Sequence, residues 1–164
     1  MDIPAFHITF GTYGTRLHGD ARGTVDRSMN KPGDPIIGAD PLWWGQEHGR
    51  LNFPPIKLTR EQMIYAESVI PVICQRGHWD YHTGAAGPDH IHTLLTPLRK
   101  GVEGEAVRKW LKRWLGEAMS ARWALPTDPP GATWWAEGGS VKWVWKRDYL
   151  ENVRDYLNRQ RATR

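Results

Sequence analysis

The chain has 164 residues, 40% of them apolar and 24% charged, enough to close a packed core and too apolar for global disorder. Its net charge of +4 permits nucleic acid as a partner without requiring it, and the single cysteine, Cys74, excludes an internal disulfide and a cysteine-based zinc site. No run of about 18 apolar residues is present and MDIPAFHITF lacks the order of a signal peptide, so no membrane span and a soluble, intracellular chain are expected.

Residues 3–13 set Phe6, Ile8 and Phe10 against His7 and Thr9, an alternation that predicts a strand with one buried face. A long loop follows at about 14–55, dense in Gly, Pro, Asp and Asn, and loops of that length are usually either functional or disordered. Thr59 and Gln62 form a capping-box signature, opening a helix with Met63, Ala66, Val69, Ile70 and Ile73 on one side and Gly77 at its end. Cys74 falls in this stretch as a small buried hydrophobe. Two strands come next, at 79–85 and 89–96, joined by a turn at 86–88.

A helix at 104–123 carries Val107, Trp110, Leu111, Trp114, Leu115 and Met119 as an apolar stripe, which favours core packing for both tryptophans. Trp43-Trp44 and Trp134-Trp135 lie near loops, where one ring of each pair is expected at the surface as a platform for unpaired bases. An alternating strand at 141–145 and a helix at 148–161 complete the chain. The order of strand, helix, strand, strand, helix, strand predicts one α+β domain over 1–164. Its expected core is a ferredoxin-like, antiparallel, four-stranded sheet with two helices on one face, plus a C-terminal helix.

His90 and His92 stand one residue apart on a strand, so both point the same way, with Leu94 following on that face. Two imidazoles side by side make half of a divalent-metal site, or equally two hydrogen-bonded histidines at a sheet edge. On the last helix Tyr156 and Gln160 are four apart and share a face. His78, Asp80 and His82 alternate on the neighbouring strand as a rival ligand set, while His7, His18 and His48 read as structural or exposed.

Pro88-Asp89-His90-Ile91-His92 resembles the histidine-hydrophobe-histidine motif of the HUH endonucleases, and within them the single-tyrosine transposases of the smallest insertion sequences and their REP-associated relatives. Tyr156-Leu157-Asn158-Arg159-Gln160 is similar to that family's tyrosine with a glutamine four residues later, and the segments 6–10, 14–19 and 138–140 extend the likeness over the chain. The resemblance implies His90, His92 and Gln160 as ligands of Mg²⁺ or Mn²⁺, with Tyr156 as the nucleophile. It further implies a 5′-phosphotyrosine intermediate on single-stranded DNA with hairpin structure, in a cytoplasmic, nucleoid-associated protein of bacterial type. Family members work as homodimers or as monomers, and both assemblies stay open.

Arg16, Arg22, Arg27 and Lys31 in the long loop, with Lys109 and Arg113 off the stripe of the second long helix, are the candidate DNA contacts, the loop residues serving equally well as charges that solubilise the loop. Tyr149 competes as nucleophile but has Val153, not glutamine, four residues on. Two other functions remain open: a domesticated or inactive DNA-hairpin-binding protein of the same fold, and an unrelated metal-dependent hydrolase built on His78, His82, His90 and His92.

Overall fold

The alternation of Phe6, Ile8 and Phe10 with His7 and Thr9 becomes strand β1, Ala5–Gly11. The computed structural model describes residues 3–15, 38–145 and 147–162. Along the chain follow α1 (Pro41–Gly49), α2 (Arg60–Gly77), β2 (Trp79–Ala86), β3 (His90–Pro97), α3 (Gly104–Ser120), β4 (Ser140–Val144) and α4 (Arg147–Ala162). The strands pair antiparallel throughout in the order β2-β3-β1-β4. With α2 and α3 in the two long connections this is the expected ferredoxin-like α+β topology.

Strand alternation divides the apolar residues between two layers. Phe6, Ile8 and Phe10 on one face meet Ile70 of α2 and Leu111 and Leu115 of α3 in the main core. Ala5, Ala85, Leu94 and Val144 on the other face are covered by Val153 and Leu157 of α4. The C-terminal helix therefore packs on the face opposite the first two long helices. It does so because its otherwise charged sequence offers one narrow apolar stripe, Leu150, Val153 and Leu157, at helical spacing.

The Thr59 capping box forms: Gln62 N donates to Thr59 Oγ1 at 3.2 Å, and Thr59 N donates to Gln62 Oε1 at 2.9 Å. Cys74 is fully buried, and burial, aided by the Asp80 charge, pushes its thiol up to about 12. The folded chain should therefore stay unlabelled by a thiol reagent at about pH 8 and label fully in denaturant. Rapid native labelling would contradict this placement.

Three expectations change. The segment expected as loop at about 14–55 contains α1, opened by Asp40, whose side chain accepts from Trp43 N at 3.1 Å, with Pro41 in its first turn. It buries none of its residues, so it lacks the apolar stripe by which a helix is found in sequence. Trp134 and Trp135 are both buried, because Trp134 Nε1 donates to Ser120 Oγ at 3.0 Å and Trp135 Nε1 to the Lys112 carbonyl at 3.0 Å. Trp110, expected in the core, is 45% exposed at the margin of its stripe, with the Arg113 guanidinium 5.3 Å from its ring centre.

Candidate active site

β3 brings His90 and His92 onto the face that α4 covers, as alternation requires, and β1 sets Thr9 opposite His92 and His7 opposite Leu94. Their rings are 4.8 Å apart between centroids at 78°. Each ring is held from behind through Nδ1. For His90 the partner is Asp89 Oδ1 at 2.7 Å. For His92 the partners are Thr9 Oγ1 at 2.9 Å and His7 Nε2 at 3.2 Å, with the His7 ring stacked 5.3 Å away. Gly87 lies under His90: a Cβ there would come within 2.5 Å of the ring's Cε1, so only glycine leaves the imidazole its place.

Burial lowers the His7 pKa to about 4, with the Lys142 charge acting in the same direction, so this ring stays neutral at ordinary pH. An unfolded His7 titrates near 6.5, so between about 6.5 and 4 the unfolded chain holds a proton that the folded chain lacks. His7 should therefore cost the metal-free protein about 2 kcal/mol of stability as pH falls through that window, and nothing further below it, a figure already reduced for partial exposure. The urea midpoint of the wild type should fall relative to that of His7→Gln as pH drops from about 6.5 to 4. Parallel curves for the two proteins would refute the assignment.

α4 is docked by its C-terminal half. Asn158 Oδ1 accepts from Thr83 Oγ1 at 2.8 Å, and Arg161 Nε lies 3.6 Å from Oε2 of the buried Glu67. Glu67 Oε1 in turn accepts from Ala86 N at 2.9 Å. Since Ala85 stands opposite His92, this puts the last turns of α4 at the histidine end of the sheet. Gln160 lies between those two anchors, and its Nε2 donates to Tyr156 Oη at 2.7 Å. Tyr149 is about 10 Å further back along the helix axis, away from the histidines. Both tyrosines are half exposed.

The other predicted residues separate. Arg16, Arg22, Arg27, Lys31 and His18 lie outside the described residues. Lys109 and Arg113 are exposed on α3, across the sheet from the histidine pair. His78 caps α2 in the left-handed conformation, and His82 bonds Thr96 Oγ1 at 2.8 Å, about 20 Å along β3 from His90. Burial keeps the His82 pKa below its ordinary value, with Asp80 opposing and Arg154 adding to the shift. Among the described residues no three His, Cys, Asp or Glu side chains gather to hold a metal ion. The four-histidine hydrolase centre is therefore not assembled among the described residues.

No role follows from sequence for Thr9, Glu67 or Arg161, and Asp89 stands in the histidine motif without a role of its own. Thr9 and His7 had a legible signal, since both alternate with the buried residues of β1. Glu67 had another, as a carboxylate within the apolar side of α2.

The donor set fits a divalent ion. A carboxylate behind His90 and a hydroxyl behind His92 are the kind of outer partners that ligating imidazoles use to fix ring and tautomer, and Nε2 is the atom that would then bind a metal. Two imidazoles with a carboxamide suit Mn²⁺ better than Mg²⁺, which prefers oxygen.

Fold and site together define an α+β protein of ferredoxin-like topology with a strand-borne histidine pair and a helix-borne tyrosine–glutamine pair on one face. The chain is similar to the crystal structure of a protein of Deinococcus radiodurans R1 provisionally named a transposase. They share 14% identity, with a TM-score of 0.48 over 98% of this chain and 92% of that one. It is similar also to a REP-associated tyrosine transposase bound to a REP hairpin, at 9% identity and a TM-score of 0.49, over 96% of this chain and 66% of that one. No family model and no curated protein matches the chain.

Proposed function

We propose that the chain is a metal-dependent, single-tyrosine strand-transferase acting on single-stranded DNA with hairpin structure. The observation that carries this is the pairing of the Tyr156 phenol with Gln160, 2.7 Å apart, on a helix tied through Arg161, Glu67 and Ala86 to the histidine end of the sheet. A hydrolytic site needs an activated water; this arrangement offers a side-chain nucleophile instead.

In the proposed reaction Tyr156 Oη attacks the scissile phosphorus. The Oη–P bond forms and the P–O3′ bond breaks; the phenol gives up its proton and the leaving 3′ oxygen gains one, which leaves a 5′-phosphotyrosine and a free 3′-OH. Attack by a 3′-OH on the phosphotyrosine reverses these bonds, so no nucleotide cofactor is required. Mg²⁺ or Mn²⁺ held by His90, His92 and Gln160 would supply charge neutralisation at the phosphate and favour the phenolate. The Gln160 amide N–H donates to Tyr156 Oη and orients the phenol.

The basic residues of the long loop, Arg16, Arg22, Arg27 and Lys31, are proposed phosphate contacts. The chain enters that segment at Thr15, whose hydroxyl lies 3.4 Å from the Asp89 carbonyl beside His90. Lys109 and Arg113, across the sheet, would hold a stretch of DNA other than the scissile one. The proposal is tested by incubating the full chain with a single-stranded hairpin oligonucleotide and Mn²⁺, then looking for a denaturation-resistant adduct. Binding without any adduct would remove strand transfer and leave a hairpin-binding protein.

A further inference from the structure

We infer that Thr9 and His7 are positioning residues that fix the tautomer of His92, holding its proton on Nδ1 so that Nε2 carries the lone pair a metal needs. The inference rests on the reading of the histidine pair as ligands. It goes beyond that reading in assigning work to two residues of β1 that belong to neither motif.

The geometry is specific. His92 Nδ1 lies 2.9 Å from Thr9 Oγ1 and 3.2 Å from His7 Nε2, both partners coming from the neighbouring strand of a fixed antiparallel register. A neutral imidazole carries one proton, on one nitrogen or the other. With the proton on Nδ1, one N–H faces two acceptors, the Thr9 hydroxyl oxygen and the His7 Nε2 lone pair. With the proton on Nε2, Nδ1 would accept from the Thr9 hydroxyl, but its lone pair and that of His7 Nε2 would repel unless His7 turned its own proton inward. Stacking of the two rings at 5.3 Å and 30° keeps His7 from swinging away.

The pair also explains a placement that core packing does not. His7 and Thr9 are polar residues on a central strand of the sheet, between Ala5 and Gly11, where an apolar layer would otherwise extend. Their side chains turn toward His92 because the strand period aims them there. His90 has its own partner in Asp89, so each proposed ligand is held from behind by a different element.

The test uses the full chain without DNA. Free Mn²⁺ measured by electron paramagnetic resonance gives the affinity, and long-range ¹H–¹⁵N correlation of the metal-free protein gives the His92 tautomer, the signal being assigned by its loss in His92→Gln. The wild type should show the Nδ1–H pattern. Thr9→Val combined with His7→Phe should weaken Mn²⁺ binding by about 10–100-fold, with Thr9→Ser alone retaining it. An Nε2–H pattern in the wild type overturns the inference, even if the double variant does not fold. So does a folded double variant that binds Mn²⁺ as the wild type does. A wild type that takes up no Mn²⁺ overturns the metal reading itself, a result distinct from either.

Discussion

Tyr156→Phe should fold as the wild type does and lose the covalent DNA adduct, by at least about 10³-fold in rate. The phenol is 48% exposed and its oxygen bonds the Gln160 side chain, so removing it should cost less than about 1 kcal/mol. Hairpin affinity should stay within about threefold of wild type, because phosphate contacts come from basic residues elsewhere on the chain. The reaction has no other attacking atom on that turn of α4. Tyr149→Phe is the matched control, since Tyr149 is equally exposed on the same helix but about 10 Å from the Tyr156 level. Gel-resolved adduct formation with both variants decides the matter. Adduct surviving in Tyr156→Phe and vanishing in Tyr149→Phe would transfer the role of nucleophile and leave the Gln160 contact without the function assigned to it.

Gly139→Ala should be the most damaging small substitution outside the core. Gly139 has φ +130°, where side chains strain the backbone, and a Cβ there would lie 2.6 Å from the Thr9 carbonyl oxygen and 3.0 Å from Phe10 Cβ. Its own carbonyl is held by Arg108 Nη1 at 2.9 Å, and Lys112 Nζ holds the carbonyls of Ala136 and Gly138 at 2.6 and 2.8 Å. The turn cannot relax without breaking these bonds, and the atom it meets belongs to the backbone of the central strand. We expect a loss of at least about 3 kcal/mol, or roughly 6–12 °C in thermal midpoint. Gly131 separates strain from collision: its φ is +104° but a Cβ would meet nothing within 4 Å, so Gly131→Ala should cost only about 1–2 kcal/mol. Equal midpoints for the two variants would refute the collision. Because the displaced carbonyl is that of Thr9, Gly139→Ala should also weaken Mn²⁺ binding, whereas Gly131→Ala should not.

The strands and long helices were legible because each shows its burial period plainly. Phe6, Ile8 and Phe10 alternate, Thr59 and Gln62 announce the start of α2, and Val107, Leu111 and Leu115 recur at helical spacing. α1 was missed for the converse reason: it packs no side chain into the core, so no period marks it. Trp134 and Trp135 depart from expectation because their burial depends on partners remote in sequence. Trp134 and Trp135 are buried by Ser120 and Lys112, and a sequence window around 134 contains neither.

The chain by itself determined that His90 and His92 face one way, that Tyr156 and Gln160 share a helical face, and that a ferredoxin-like order of elements carries them. Those follow from the periods of two and 3.6, which are local properties of the backbone. Only the tertiary structure decided that α4 lies on the histidine face rather than with α2 and α3. It decided too that Glu67 and Arg161 tie the helix to that end of the sheet, and that Thr9 and His7 stand behind His92. Those depend on strand register and on which apolar stripe meets which face, and both are set by contacts between residues far apart in the chain.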